Sequence, residues 1–185
     1  SGKTTLLRLT AGLLDATAGT VAVRGHPAGS LDARAFTSYL GDQPVFYDDL
    51  TVWEHLEYIA KLHDTEGWEQ HAADLLEHLG LTDRGEHMPT TLSRGLRQKA
   101  AIAIAFVRPF EVLLVDEPFV GLDQPGRQAL LELFDRAHGD GATLLVATHE
   151  LAAVSAAERV VALRDGAVIF DGPASAADAA ALVVR

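Results

Sequence analysis

The spacing of apolar positions changes twice along the chain, and each change marks a different kind of element. Leu6, Leu7, Leu9, Leu13 and Leu14 recur without a breaker before Gly12, which predicts a helix over 3–14. Thr20-Val-Ala-Val-Arg24 alternates as a strand does and stops at Gly25-His26-Pro27. Phe36–Leu40 is a second short apolar run, ended by Gly41-Asp42-Gln43-Pro44. From Thr51 the period becomes helical. Thr51-Val-Trp-Glu54 fits a capping box, and Trp53, Leu56 and Ala60 follow on one face. Trp68, Ala72, Leu75, Leu76 and Leu79 form a second stripe, closed by Gly80 as a C′ residue. Residues 46–91 therefore read as an all-helical insertion. Beyond it, 97–107 is an alanine- and isoleucine-rich helix and Val112-Leu-Leu-Val115 a run apolar throughout, as a strand buried on both faces is. An amphipathic helix over 125–138, a second buried strand at Thr143–Ala147 and a hairpin over 160–170 turning at Asp165-Gly166 complete the pattern. Strands alternating with helices imply an α/β fold with a parallel sheet covered on both faces. There is no internal repeat, and only the alanine-rich end from Ala174 approaches low complexity.

Composition narrows the function classes. The 185 residues suffice for one domain with its own core, and 48% apolar with 22% charged residues is ordinary for a globular protein. No apolar run approaches the roughly 18 residues that span a bilayer, so membrane association is expected through a partner. The chain has no cysteine, which excludes a disulfide framework and thiolate metal sites. A net charge of −11 speaks against a nucleic-acid partner, and the one basic cluster, Arg94, Arg97 and Lys99, is too small to reverse that.

Several short strings carry candidate chemistry. In Gly2-Lys3-Thr4 a lysine can meet the β- and γ-phosphates of a nucleotide and the following hydroxyl can ligate Mg²⁺. Asp116-Glu117 follows the run 112–115, at the strand end where open α/β sheets bind ligands. There Asp116 can hold Mg²⁺ and Glu117 can polarise an attacking water. His149 ends the run 143–148 and can reach a γ-phosphate, and the Gln43 amide can reach Mg²⁺ or water. Ser93 and Gly95 open the alanine-rich helix, whose free amides and positive dipole end favour an anion. Taken singly, each has an ordinary reading: a surface loop, acids ending a strand, a strand-end histidine, a ligand-free helix cap.

Their order is more specific. Ser-Gly-Lys-Thr-Thr, Gln43 before a helical insertion, Leu-Ser-Arg-Gly, Val-Leu-Leu-Val-Asp-Glu-Pro, Gly121-Leu122-Asp123 and Ala-Thr-His149 together resemble the ATP-binding domain of ABC transporters, over essentially the whole chain. The resemblance implies a P-loop NTPase (RecA-like) parallel sheet core over 1–45 and 92–185 with a helical subdomain over 46–91. It places Ser1, Gly2, Lys3, Thr4 and Thr5 in Walker A, Gln43 in the Q-loop and Ser93 and Gly95 in the signature. Asp116 and Glu117 fall in Walker B, Asp123 in the D-loop, and His149 is the switch histidine. It further implies ATP and Mg²⁺ as cofactors, with Glu117, His149 and Gln43 catalytic, Thr4, Gln43 and Asp116 at the metal, and Ser93, Gly95 and Asp123 with the Walker A residues at the nucleotide. The implied partners are a transmembrane permease and a second ATPase domain arranged head to tail. The implied location is the cytoplasmic face of the cell membrane.

In the family a strand and most of the phosphate-loop amides precede the Ser1 position, as does the aromatic residue that stacks on adenine. The chain is therefore expected to be N-terminally truncated and to lack N-terminal strands. The signature carries Arg94 and Leu96 where glycine and glutamine are usual, a form similar to ATPases of export systems, antibiotic-resistance and haem-exporter-like ones among them. Adjacent side chains near a helix start diverge by about 100°, so Ser93 is expected to face the nucleotide and Arg94 the helical subdomain or solvent. Soluble ABC ATPases of DNA maintenance share the motifs but carry a long coiled coil in place of the compact 46–91 segment. Translation-factor relatives have two ATPase units, small-substrate P-loop kinases lack a signature, and a catalytically silent partner would lack Glu117 or His149. His71 and His78, seven apart, read as a solvated face and not as a metal pair.

Overall fold

The computed structural model describes residues 1–178, so the end of the alanine-rich tail lies outside the described residues. Helix α1 (Lys3–Thr10) is shorter than its leucine pattern. It stops because Gly12 turns into the left-handed region (φ 72°) against Gly29, where an added Cβ would stand 2.1 Å from the Gly29 Cα. Of the expected strand over 20–24 only β1 (Ala22–Val23) forms, paired with β2 (His26–Pro27) around Arg24-Gly25. Helix α2 (Leu31–Phe36), capped by the Ser30 hydroxyl, runs straight into β3 (Thr37–Leu40). Phe36 therefore belongs to a helix and not to the strand expected to include it.

The helical stretch follows its periodicity. Helix α3 (Val52–Leu62) starts on the complete capping box, with the Thr51 hydroxyl accepting from the Glu54 amide and the Glu54 carboxylate accepting from the Thr51 amide at 2.7 Å. Helix α4 (Trp68–His78) ends through Gly80 at φ 69°. Helix α5 (Arg94–Phe106) begins one residue after Ser93, its N-cap. The chain continues through β4 (Val112–Asp116), α6 (Gln124–Gly139), β5 (Thr143–Ala147), α7 (Leu151–Ala156), β6 (Arg159–Arg164) and β7 (Ala167–Pro173). Asp165 and Gly166, both at positive φ, make the expected two-residue hairpin turn.

Strands β3, β4 and β5 form a parallel sheet in that order, Leu40 opposite Val115 and Asp116 opposite Ala147. The period of two along β4 sorts its side chains. Leu113 and Val115 enter a large apolar cluster with Leu56 of α3, Leu75 and Leu76 of α4, Ile102 of α5 and Leu130 and Leu133 of α6. Leu114 faces the opposite way, onto Leu7 of α1 and Ala147. By the same alternation Asp116 lies on the α1 face. Strand β4 is buried on both faces as expected, but β5 is not: it alternates exposed and half-buried, with Leu145 40% exposed. Among the described residues β5 has only β4 beside it, and an outer strand is covered less than a central one.

Arg108, just beyond α5, buries its guanidinium against the carbonyls of Arg34, Ala35, Thr37 and Pro109. Burial pushes its pKa down. The bonds tie the end of α5 to the joint between α2 and β3. No helix among the described residues is long and apolar enough to cross a membrane.

Candidate functional site

The C-terminal ends of β4 and β5 meet the start of α1, and this junction gathers the unusual chemistry. Gly2 caps α1 with φ 99°, a conformation a side chain strains to adopt. Lys3 and Thr4 are half-buried behind it, while Ser1, Gly2 and Thr5 are exposed. Asp116 is wholly buried, and neither of its carboxylate oxygens has a hydrogen-bond partner. An unpaired buried polar group costs about 1–3 kcal/mol, so a carboxylate left bare on the α1 face fits a cation. Burial first, and to a lesser extent the Asp116 charge, push the neighbouring Tyr39 phenol up, against the opposing hydrogen bond from Arg8.

Glu117 leaves the strand in the left-handed region, φ 48°, with its amide bonded to the Ala147 carbonyl at 2.8 Å. For a residue with a side chain this conformation costs about 1–2 kcal/mol, and such strain concentrates where a side chain has to be aimed. Here it aims the carboxylate at the end of β5. The His149 Nε2 lies 3.1 Å from Glu117 Oε1 and 3.3 Å from the Lys3 ammonium, which also donates to the Ser1 hydroxyl at 3.3 Å. One ring nitrogen can donate to the carboxylate or accept from the ammonium, not both at once. Lys3, Glu117 and His149, 146 residues apart at the extremes, thus form one polar chain.

The other sequence-predicted residues make no hydrogen bond or ion pair to this polar chain among the described residues. Gln43 is exposed beyond β3, and its side chain makes no hydrogen bond among the described residues. The loop carrying it is held on both sides: Arg8 donates to Asp42 at 3.4 Å, and the Tyr47 amide donates to His55 Nε2 at 2.9 Å. The Ser93 hydroxyl accepts from the Leu96 amide at 3.3 Å. Gly95 faces the Gly121 carbonyl, and the Asp123 carboxylate pairs with Lys99 at 2.9 Å. No hydrogen bond or ion pair among the described residues joins Ser93, Gly95 or Asp123 to Lys3, Glu117 or His149. Arg94 is exposed to solvent, one of the two placements expected, and its aliphatic stem runs along Gly121.

Sequence reasoning missed several of these partners. In the basic cluster of Arg94, Arg97 and Lys99 the structure buries Lys99, which is 8% exposed. The signal was its position four residues after Gly95, on the same helix face. His71 is exposed and His78 half-buried, and each also bonds a carbonyl, Phe106 at 3.0 Å and Ala129 at 3.1 Å, stitching α4 to α5 and α6. Gln98, Gly126 and the Arg127–Glu150 pair carried no motif at all.

Comparison with known proteins gives the chain a family. Residues 1–120 match the ABC transporter family. The chain is 32% identical to a macrolide export ATP-binding/permease protein MacB from Rhodopseudomonas palustris (strain BisB18), over 98% of this chain and 30% of that protein. It is 31% identical to the SkfA peptide export ATP-binding protein SkfE of Bacillus subtilis (strain 168), over 92% of this chain and 73% of that one. The chain thus spans less than a third of the macrolide-export relatives and about three quarters of the peptide-export one. A solved structure of the ATP-binding subunit of an ABC transporter superposes with a TM-score of 0.88 at 31% identity, covering 93% of this chain and 74% of that chain. With that fold and with a lysine, a glutamate and a histidine converging beside a bare buried aspartate, the chain belongs to the ABC transporter family.

Proposed function

We propose that this chain is the ATP-hydrolysing unit that drives export of a substrate through a transmembrane permease, on the inner face of a membrane. The observation that carries the reading is the Lys3–His149–Glu117 chain at the ends of β4 and β5, beside an unpartnered Asp116. The export direction is supported by the names of the macrolide and peptide relatives. In this reading residues 46–91 form a helical subdomain between the core segments 1–45 and 92–185, a division supported by the shift from strand–helix alternation to helices alone.

Lys3, together with Ser1, Gly2 and Thr5, binds the phosphates, its ammonium exchanging His149 for the stronger acceptor. Asp116, Thr4 and Gln43 would hold Mg²⁺, which neutralises phosphate charge. No group of three or more His, Cys, Asp or Glu residues able to hold a metal occurs among the described residues. That suits an ion bound by few carboxylates and by the phosphates themselves. Glu117 accepts the proton of the attacking water, and His149 orients Glu117 and contacts the γ-phosphate. Ser93, Gly95 and the Asp123 loop act on the nucleotide of a second ATPase domain packed head to tail, because on their own chain they do not meet the Lys3–Glu117 group.

Replacing Glu117 by Gln keeps the shape and removes the base. ATP binding should persist while turnover in the full-length protein falls by about 10² or more, and the variant should accumulate as an ATP-held dimer. Near-parental steady-state hydrolysis would overturn the assignment.

A further inference from the structure

The first two turns of α5 and the segment after Glu117 are joined at four points. The Arg94 stem lies over Gly121, with its Cγ 3.5 Å from where a Cβ would stand there. Gly95 abuts the Gly121 carbonyl so closely that an added Cβ would come within 2.8 Å of the oxygen. Buried Gln98 donates its amide to the Pro118 carbonyl at 3.2 Å. Lys99 reaches Asp123 Oδ1 at 2.9 Å, its side chain only 11% exposed.

The last contact is the most demanding. An ammonium taken out of water is costly unless it is paired, and here one carboxylate oxygen does two jobs. Asp123 Oδ1 also accepts the Gly126 amide at 3.1 Å, capping α6. The Lys99 hydrogen bond, ahead of the Gly126 amide, holds this carboxyl below its ordinary range. The lysine takes this path over a glycine: a Cβ at residue 126 would stand 2.6 Å from Lys99 Cε and 2.7 Å from Asp123 Oδ1, so both side chains would have to shift. The far side of the same segment is also gripped. Arg127 donates to the Leu122 carbonyl at 3.4 Å and to Glu150, the residue after His149, at 2.7 Å.

We propose that Lys99 is a positioning residue for hydrolysis: through Asp123 it locks the 118–126 segment to the helix bearing Ser93 and Gly95, so that a shift of α5 is passed to Glu117 and His149. The proposal rests on the reading of Glu117 as the base. Lys99 touches neither nucleotide nor water in this scheme. Its loss leaves binding intact and leaves the base misaimed, and misplacement of a reacting group by about 1 Å can cost 10²-fold.

Three variants of the full-length protein test this, with kcat and KM for Mg-ATP and thermal midpoints measured together. Lys99→Met should lower kcat by about tenfold or more at unchanged KM. Lys99→Arg, which keeps the charge and the reach, should return kcat to within about threefold of the parent. Gly126→Ala favours the helix by up to about 1 kcal/mol but displaces the Lys99 stem. It should lower kcat at unchanged KM, whatever the thermal midpoint does, because its Cβ also crowds the Asp123 oxygen that caps α6. Parental kcat in Lys99→Met, or in Gly126→Ala where Lys99→Met does not fold, overturns the proposal, as does a fall in kcat that Lys99→Arg fails to recover. Gly126→Ala keeps the test decisive if Lys99→Met does not fold. Glu117→Gln run alongside tests the parent reading independently: normal turnover there removes the base assignment, whereas normal turnover in the Lys99 and Gly126 variants alone removes only the coupling.

Discussion

The ends of one short stretch, Asp116-Glu117 and Leu122-Asp123, are built in opposite ways. At the first, a wholly buried carboxylate has no partner and the next residue is held in a strained backbone. At the second, the carboxylate is held by Lys99 and by the Gly126 amide, and the buried amide of Gln98 is bonded to Pro118. Polar groups left bare destabilise the fold and gain their return only from a ligand, whereas paired ones are architecture. The well-satisfied seam lies within eight residues of the strained site and supplies the rigidity that holds it in place.

The comparison can be broken most sharply at Asp116. Valine there removes the unpaired oxygens while suiting a strand. Mg²⁺-dependent ATP hydrolysis should fall on the order of 10³-fold, while the metal-free protein melts higher, by about 1 kcal/mol in stability. A lower melting point would show that the carboxylate is satisfied and the contrast false. On the seam, neighbouring positions should diverge. Ser93→Arg puts bulk at the α5 N-terminus and should cost at least about 10² in turnover. Arg94→Gly loses only the stem over Gly121 and should change turnover a few-fold. A collapse in Arg94→Gly comparable to that of Ser93→Arg would instead mark Arg94 as an arginine finger, an interaction that contributes about 10³ or more to turnover. The smallest effect on chemistry should come from Thr51→Ala, remote from both ends. It removes the cap of α3, so denaturant melts should show a loss of about 1 kcal/mol with unchanged turnover per folded molecule. Loss of turnover there would tie the helical segment directly to catalysis.

Which of these features could be read from sequence depended on whether the cause was local. The capping box at Thr51, the Gly80 helix stop and the Asp165-Gly166 turn are written in adjacent residues, and the structure has all three. Helices α2 and α7, six residues each, are too short to show a period and were not anticipated. The early end of α1 depends on Gly29, seventeen positions from Gly12, and the exposure of β5 depends on its place in the sheet. Motif order singled out Lys3, Glu117 and His149, which the structure brings together. It placed Lys99 one turn after Gly95 but did not disclose its packing over Gly126, because that is a matter of fit between two helix starts 30 positions apart in sequence.

The two anchors on the Gln43 loop set a limit on mechanical travel. Asp42 is fastened to α1 through Arg8, and Tyr47 is fastened to α3 through His55, whose other ring nitrogen is bonded to the Thr51 carbonyl at 2.7 Å. Only Gln43, Pro44, Val45 and Phe46 lie between the fastenings. Each residue spans at most about 3.6 Å, and Pro44 removes one of the backbone rotations. The peptide bond fixes the Cα of Gln43 about 3.8 Å from that of Asp42, so while Arg8 holds Asp42 the Gln43 backbone swivels on a short leash.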